Sequence, residues 1–155
     1  MSPPHWISRR IGSNTFQLLN LDHPEVEAAI LSEMESGVDV YYDRRWEVTG
    51  ALCQFLSSRP HWVQDRSVLV IGAGIGMETL VIGHLCHKMY VNDIAPVALE
   101  LCARQLKRNR IHNFGLLQGP YERLAFPPVD IVVGCFLVYN PETRRAMKRF
   151  LDGCT

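Results

Sequence analysis

The stretch that decides the fold is Val68-Leu-Val-Ile-Gly-Ala-Gly-Ile-Gly-Met-Glu-Thr-Leu-Val81, in which an apolar run leads into three alternating glycines. An apolar run without alternation is typical of a strand buried on both faces of a parallel sheet. Glycine allows a sharp turn and lets a ligand approach the main chain without meeting a Cβ atom. We therefore predict a strand, a ligand-binding turn and a helix in this order.

The chain after this stretch alternates between the two kinds of element. Short apolar runs predict strands at residues 68–71, 89–91, 114–118 and 129–135. Apolar residues at helical spacing predict helices over residues 77–86 and 96–106, and a third that starts at Asn140-Pro141. This order of strands and helices predicts an α/β fold, a doubly wound and mostly parallel sheet.

The chain before the stretch is predicted to be helical. Asp22-His-Pro24 provides a cap and an early proline for a helix that runs to Gly37, with apolar members at Val26, Ala29, Ile30 and Met34. A second helix is predicted over residues 44–58, with Trp46, Ala51, Phe55 and Leu56 as apolar members. Residues 1–22 show no clear period and receive no assignment. We predict one domain, in which residues 1–66 lead into a ligand-binding core at residues 67–155.

Composition limits the function classes. Sixteen basic residues balance sixteen acidic ones among 155, so no overall field draws the chain to nucleic acid or to a membrane. The two basic clusters, 104–110 and 144–149, lack the interleaved aromatic residues typical of nucleic-acid binding. No apolar stretch reaches the roughly 20 residues of a membrane span, and no signal pattern opens the chain. We expect a protein of the cytoplasm, with the nucleus as the alternative.

The cysteines and histidines predict neither disulfides nor a metal site. The five cysteines are odd in number, widely scattered and without a C-x-x-C pair, so they are expected to be small buried side chains. His84 and His87 flank Cys86, but no second group of ligands accompanies them. We therefore expect no bound metal.

The spacing of the glycines narrows the class of ligand. Dinucleotide-binding turns follow G-x-G-x-x-G, whereas this chain has G-x-G-x-G and places Met77 at the next position. No lysine follows the glycines as a P-loop requires, and Glu78 would repel a pyrophosphate. Asp93 ends the second strand, where an acidic residue reaches ribose hydroxyls, although it could instead cap the following helix. These features favour a nucleoside without a pyrophosphate and leave a nicotinamide-dependent oxidoreductase as a weaker alternative.

Two motifs carry a resemblance to a known class of enzymes. Residues 68–76 resemble the first motif of the class I S-adenosylmethionine-dependent methyltransferases, and Tyr90-Val-Asn-Asp-Ile-Ala-Pro-Val-Ala resembles their second. Arg45-Trp-Glu-Val-Thr-Gly-Ala-Leu and Asp130-Ile-Val-Val-Gly, followed by Phe-Leu-Val-Tyr139, look like the seven-strand protein lysine methyltransferases. The similarity covers residues of about 40 to 151 and implies a Rossmann-like fold, S-adenosylmethionine as cofactor and a protein lysine as substrate.

The resemblance assigns roles to seven residues. It implies that Gly72, Gly74 and Gly76 line the methionine and ribose parts of the cofactor, that Asp93 binds the ribose and that Ile94 packs on the adenine. It places Trp46 near the mouth of the cofactor and substrate site. Tyr139 matches the tyrosine of the family's Asp-x-x-Tyr motif and becomes the candidate catalytic residue.

The chain also departs from the family. Val70 stands where the family usually has an acidic residue in the first strand, and Phe136 stands at the acidic position of Asp-x-x-Tyr. Family members continue through three more strands, so we expect a truncated product or isoform, with a partner that covers the open sheet edge as the alternative. The alternative to an enzyme is a non-catalytic protein of the same fold that binds the cofactor or a partner.

Overall fold

The computed structural model describes residues 3–154 and begins with an antiparallel hairpin. Its strands are β1 (Trp6–Ile11) and β2 (Asn14–Leu19), which pair from Trp6 with Leu19 to Ile11 with Asn14. Gly12 forms the turn with a left-handed φ of 59°, which glycine adopts without strain. No element was predicted here from the sequence, because only Ile11, Phe16, Leu18 and Leu19 are buried and the apolar pattern is therefore incomplete.

Two helices follow the hairpin, and both predictions are confirmed with small corrections. Helix α1 is Pro24–Glu35 and begins after His23, whose Nδ1 accepts a hydrogen bond from the amide of Glu25. Helix α2 is Glu47–Ser58, so it begins three residues later than position 44, with Trp46 as its N-cap. A short 3-10 turn at Pro60–Trp62 then leads into the sheet.

The apolar members expected for these helices were partly wrong. Met34 is 40% exposed, and Glu33 is buried in its place, because the Glu33 carboxylate accepts hydrogen bonds from the Tyr42 hydroxyl and from the amide of Val97. Phe55 is also exposed and lies under the guanidinium of Arg59. A polar group with fixed partners can thus take an inward position that helical spacing assigns to an apolar neighbour.

Four parallel strands form the central sheet in the order β5-β4-β3-β6. They are β3 (Ser67–Ile71), β4 (Lys88–Asp93), β5 (Phe114–Gln118) and β6 (Ile131–Gly134). The connecting helices are α3 (Met77–Leu85) and α4 (Pro96–Arg108), and α5 (Pro141–Gly153) follows β6. A 3-10 turn, Tyr121–Arg123, lies between β5 and β6. The predicted α/β fold with a parallel sheet is confirmed, and the strand order reverses between β3 and β6.

The sheet is covered on both faces, as the apolar run in β3 predicted. Val68 and Val70 belong to a core cluster with Leu80 of α3, whereas Leu69 and Ile71 pack with Phe150 of α5. Successive side chains of a strand point to opposite faces, so β3 is buried throughout. The first cluster also contains Phe16, Leu18 and Leu56, so residues on both sides of the predicted boundary at 66/67 share one core. The boundary itself stays a prediction.

Two further properties concern the whole described chain. Among residues 3–154, no helix is long and apolar enough to cross a membrane. Cys53, Cys86 and Cys102 are buried free thiols, as expected, whereas Cys135 is half-buried and Cys154 is exposed. The strand β6 pairs only with β3 within the described residues.

Candidate active site

A cavity of about 530 Å³ opens at the carboxyl ends of the four parallel strands. Its volume lies in the range of small-molecule sites, and its position beside the reversal of strand order is where such sheets bind ligands. The segments that follow β3, β4, β5 and β6 all contribute to its wall, together with residues before and at the start of α2. The cavity is also lined by all seven residues that the sequence singled out: Trp46, Gly72, Gly74, Gly76, Asp93, Ile94 and Tyr139.

The glycine turn depends on glycine for two separate reasons. Gly72, Gly74 and Gly76 have φ values of 58°, 56° and 73°, a left-handed region that side chains disfavour. A Cβ atom at Gly72 would overlap the side chain of Leu137, and one at Gly76 would lie 2.7 Å from the Cys102 sulfur. The turn is therefore fixed by close packing of β3, α4 and the segment after β6.

Asp93 ties the end of β4 to this turn. Its Oδ2 accepts a hydrogen bond from the amide of Gly74 at 2.7 Å, and its Oδ1 accepts one from the amide of Ala95 at 2.9 Å. Burial raises the pKa of Asp93, and these backbone amides oppose the rise. Each carboxylate oxygen keeps further acceptor capacity, so the side chain can both cap the segment before α4 and bind hydroxyl groups.

The mouth of the cavity carries an aromatic cluster of Tyr41, Trp46, Phe136 and Tyr139. The rings of Trp46 and Phe136 stack with centroids 4.3 Å apart, and those of Tyr41 and Tyr139 lie 5.0 Å apart. The Trp46 indole nitrogen donates to the carbonyl of Tyr41 at 3.0 Å, which fixes the ring. Burial, with Tyr41 as the next contribution, raises the pKa of Tyr139 to about 12, so its phenol stays protonated near neutral pH. Ile94 is 57% exposed at the same mouth.

Glu78 is a site residue that the sequence analysis did not assign to a ligand. It is the second residue of α3, it is 4% exposed, and it lines the cavity. Burial raises its pKa from 4.5 to about 7, its own backbone amide opposes the rise, and Asp93 adds to it. The sequence held one signal of this position: a charged residue directly after a glycine turn in an otherwise apolar helix.

Two polar atoms of residues that line the cavity indicate which hydrogen-bonding groups a ligand would need. Within residues 3–154, Asn92 Oδ1 and the Tyr121 hydroxyl are buried without a hydrogen-bond partner. The Asn92 amide nitrogen is occupied, since it donates to the carbonyls of Leu117 and Gly119 at 2.9 and 2.8 Å. An unpartnered buried polar atom costs about 1–3 kcal/mol, which a ligand with matching polar groups would recover. A nucleoside has such groups on its base and hydroxyls for Asp93, so the residues present fit it.

His5, His23 and Glu25 bring metal-type ligand atoms within 4.8 Å of one another, away from the cavity. The rings of His5 and His23 stack at 4.3 Å, and His23 Nδ1 already accepts a hydrogen bond from the amide of Glu25. The guanidinium of Arg104 also lies 3.2 Å from His5 Nε2 and 3.9 Å from the Glu25 carboxylate. This group is better described as a surface polar cluster, and the expectation of no bound metal stays a prediction.

The observed fold agrees with the resemblance to the class I S-adenosylmethionine-dependent methyltransferases, because curated relatives and solved structures of this fold are named methyltransferases. No protein-family model matches the chain. The chain is similar to the Xenopus laevis histone-arginine methyltransferase METTL23, with 27% identity over 144 residues, 86% of this chain and 60% of that protein. It is 25% identical to the Homo sapiens protein of the same name over 104 residues, 63% of this chain and 55% of that one. The chain thus spans about half the length of the curated relatives it matches.

Solved structures agree with this fold. The YcgJ protein of Bacillus subtilis aligns with a TM-score of 0.53 and 22% identity, over 61% of this chain and 42% of that one. Protein arginine methyltransferase 10 of Arabidopsis thaliana aligns with a TM-score of 0.53 and 16% identity, over 86% of this chain and 36% of that one. Identities this low establish the fold alone.

Proposed function

We propose that the chain binds S-adenosylmethionine and belongs to an enzyme that transfers the methyl group to a protein side-chain nitrogen. The observation that carries this proposal is the convergence of the glycine turn, Asp93 and the two unpartnered polar atoms on one cavity. The named activity of the curated relatives supports the same reaction class.

Different residues of the cavity would contact different parts of the cofactor. Asp93 would accept hydrogen bonds from the ribose hydroxyls, Asn92 and Tyr121 would face the polar edge of the base, and Ile94 would cover the base with apolar surface. When bound, S-adenosylmethionine supplies a methyl group that is already activated by a sulfonium centre. The protein therefore needs no covalent nucleophile, and its task is to align an acceptor nitrogen with a free lone pair and to exclude water.

The acceptor we propose is an arginine side chain, with lysine as the second choice. The mouth presents aromatic faces, which attract cations, and a planar guanidinium stacks on such faces better than an ammonium does. Asp39 lines the same mouth and adds a negative charge. The curated relatives are named for arginine, whereas the motif resemblance implied lysine. Tyr139 would position the acceptor through its protonated hydroxyl.

One observation favours a second function, a non-catalytic protein that binds the cofactor or a partner. Phe136 stands where the lysine methyltransferase motif has an acidic residue, and it adopts a left-handed φ of 55° that a bulky side chain disfavours. Its ring stacks on Trp46 at the mouth and offers no charge to an acceptor. A partner at the unpaired edge of β6, and a location in the cytoplasm or the nucleus, belong to the same set of proposals.

Calorimetric titration with S-adenosylmethionine and S-adenosylhomocysteine tests the binding step. We expect both to bind, Asp93→Ala to abolish binding, and a nicotinamide dinucleotide to remain unbound. Absence of binding by a folded chain would overturn the proposed function. Transfer of a labelled methyl group to matched arginine and lysine peptides then separates the acceptors, and binding without transfer would support the non-catalytic alternative.

A further inference from the structure

Glu78 is a buried acidic residue of the cavity that has no positively charged partner among residues 3–154. Four acidic residues line the cavity: Asp39, Glu78, Asp93 and Glu122. Asp93 is held by two backbone amides, and Glu122 pairs with Arg149 at 3.1 Å. Asp39 lies at the exposed mouth. Glu78 is 4% exposed and forms no ion pair with any residue among 3–154.

The titratable groups that interact with Glu78 from the neighbouring elements carry no positive charge. They are Cys53 of α2, Asp93 of β4, Cys102 of α4 and Cys135 after β6. Burial raises the pKa of Cys53 and of Cys102 to about 12, so both thiols are neutral near pH 7. Burial also raises the pKa of Cys135, and the charge of Asp93 has the same sign as that of Glu78.

The arginines that line the cavity, Arg44 and Arg45, contact groups other than Glu78. Arg45 donates to the carbonyl of Leu19, and the guanidinium of Arg44 lies 5.5 Å from the centre of the Trp46 ring. Arg9 acts on Cys53 and on Arg45 without forming an ion pair with Glu78. A buried carboxylate in such surroundings is costly unless a cation from outside the chain binds to it.

We propose that the Glu78 carboxylate binds the α-ammonium group of the amino-acid end of the cofactor, an inference that rests on the proposed function. The strand β3 offers no charged group for this task, since Val68, Leu69, Val70 and Ile71 are all buried in the core. The first turn of α3 supplies the charged group instead, because Glu78 lies two residues after Gly76 and lines the same cavity. In the proposed function the nucleoside half would bind at the ends of β4 and β5, which leaves the wall beside α3 for the amino-acid half.

The test compares two ligands that differ in the amino-acid end. S-adenosylhomocysteine carries the α-ammonium group, and 5′-methylthioadenosine keeps the nucleoside and the sulfur but lacks it. Calorimetric titration of wild type and Glu78→Gln at pH 8 is expected to show an affinity loss of about tenfold or more for S-adenosylhomocysteine, the usual range for a hydrogen bond to a charged group. The affinity for 5′-methylthioadenosine is expected to change less than about twofold. Glu47→Gln is the matched control, because Glu47 lies in the first turn of α2, is exposed and does not line the cavity.

A pH series gives a second readout that does not depend on turnover. If the bound ammonium requires the ionised carboxylate, wild-type affinity for S-adenosylhomocysteine rises about tenfold from pH 6 to pH 8, because the ionised fraction rises by that factor. Glu78→Gln removes this rise, and any contribution from Asp93 appears equally with 5′-methylthioadenosine.

The outcomes separate the two proposals. Equal losses for both ligands, or no loss for either, would overturn the role of Glu78 and leave the proposed function standing. Failure of folded wild type to bind either ligand would overturn the proposed function and this inference with it.

Discussion

Replacing Glu78 by glutamine should make the protein more stable at pH 8 without changing its stability at pH 4. The carboxyl group has a pKa of about 7 when folded, against 4.5 for an ordinary glutamate, because burial disfavours its charged form. The folded state therefore holds a proton that the unfolded state releases between these two values, and stability falls as the pH rises through this window. The rise in pKa corresponds to about 3 kcal/mol, all of which is lost by pH 8.

Urea denaturation of wild type and Glu78→Gln at several pH values between 4 and 8 measures this difference. The gap between the two free energies of unfolding should open from near zero to about 3 kcal/mol, with the variant the more stable. Glu47→Gln, which removes an exposed carboxylate at the start of another helix, should stay parallel to wild type. A constant gap between wild type and Glu78→Gln across the whole range would show that the Glu78 carboxyl titrates normally, and the reasoning about its burial would be refuted.

Three other changes test the remaining parts of the site. Gly76→Ala should lower the free energy of unfolding by about 2 kcal/mol or more in urea denaturation, because alanine is strained at a φ of 73° and its Cβ would lie 2.6 Å from the Thr79 hydroxyl and 2.7 Å from the Cys102 sulfur, both buried. Gly37→Ala, at a φ of 86° with no atom nearby, should show the cost of strain alone, so equal losses would contradict the packing argument. Tyr121→Phe should leave the free energy of unfolding unchanged or higher, because the Tyr121 hydroxyl is buried without a partner, and calorimetry should show weaker binding of S-adenosylhomocysteine. A loss of more than about 1 kcal/mol in the free energy of unfolding, with unchanged binding, would instead show that the hydroxyl stabilises the fold. Tyr139→Phe should keep the affinity for S-adenosylhomocysteine and lower kcat/KM for the peptide substrate by about tenfold in the labelled-methyl assay, and unchanged kcat/KM would remove Tyr139 from the acceptor site.

The central sheet could be predicted from the sequence because its elements are determined by local patterns. The strand Phe114–Gln118 has the predicted bounds, and Ser67–Ile71 differs by one residue. The glycine turn was predictable for the same reason, since three closely spaced glycines between an apolar strand and a helix permit few other conformations. Asn140 also gave a clear helix start, and it forms a capping box with Thr143.

The features that were missed depend on contacts between distant parts of the chain. The hairpin of β1 and β2 is held in part by Gln105 of α4 and by Asn109 just after this helix, whose side chains form hydrogen bonds with the backbone of Leu19 and Gln17. No local pattern in residues 6–19 records these partners, which lie 86 and 92 positions away. Glu33 replaced Met34 on the inner face of α1 for a similar reason, because its partner Val97 is 64 positions distant.

The charges of the site disfavour a pyrophosphate ligand, and they give a fuller reason for this than the glycine spacing does. Phosphate-binding turns work because free backbone amides point at the ligand. Here the amide of Gly74 already donates to Asp93 at 2.7 Å, and the first turn of α3 presents the carboxylate of Glu78 to the cavity. An anionic ligand would find the Gly74 amide already occupied and would be repelled by the Glu78 carboxylate. A ligand with ribose hydroxyls and an ammonium group could instead donate hydrogen bonds to Asp93 and to Glu78. The same backbone turn can therefore select ligands of opposite charge, and the side chains of Asp93 and Glu78 decide between them.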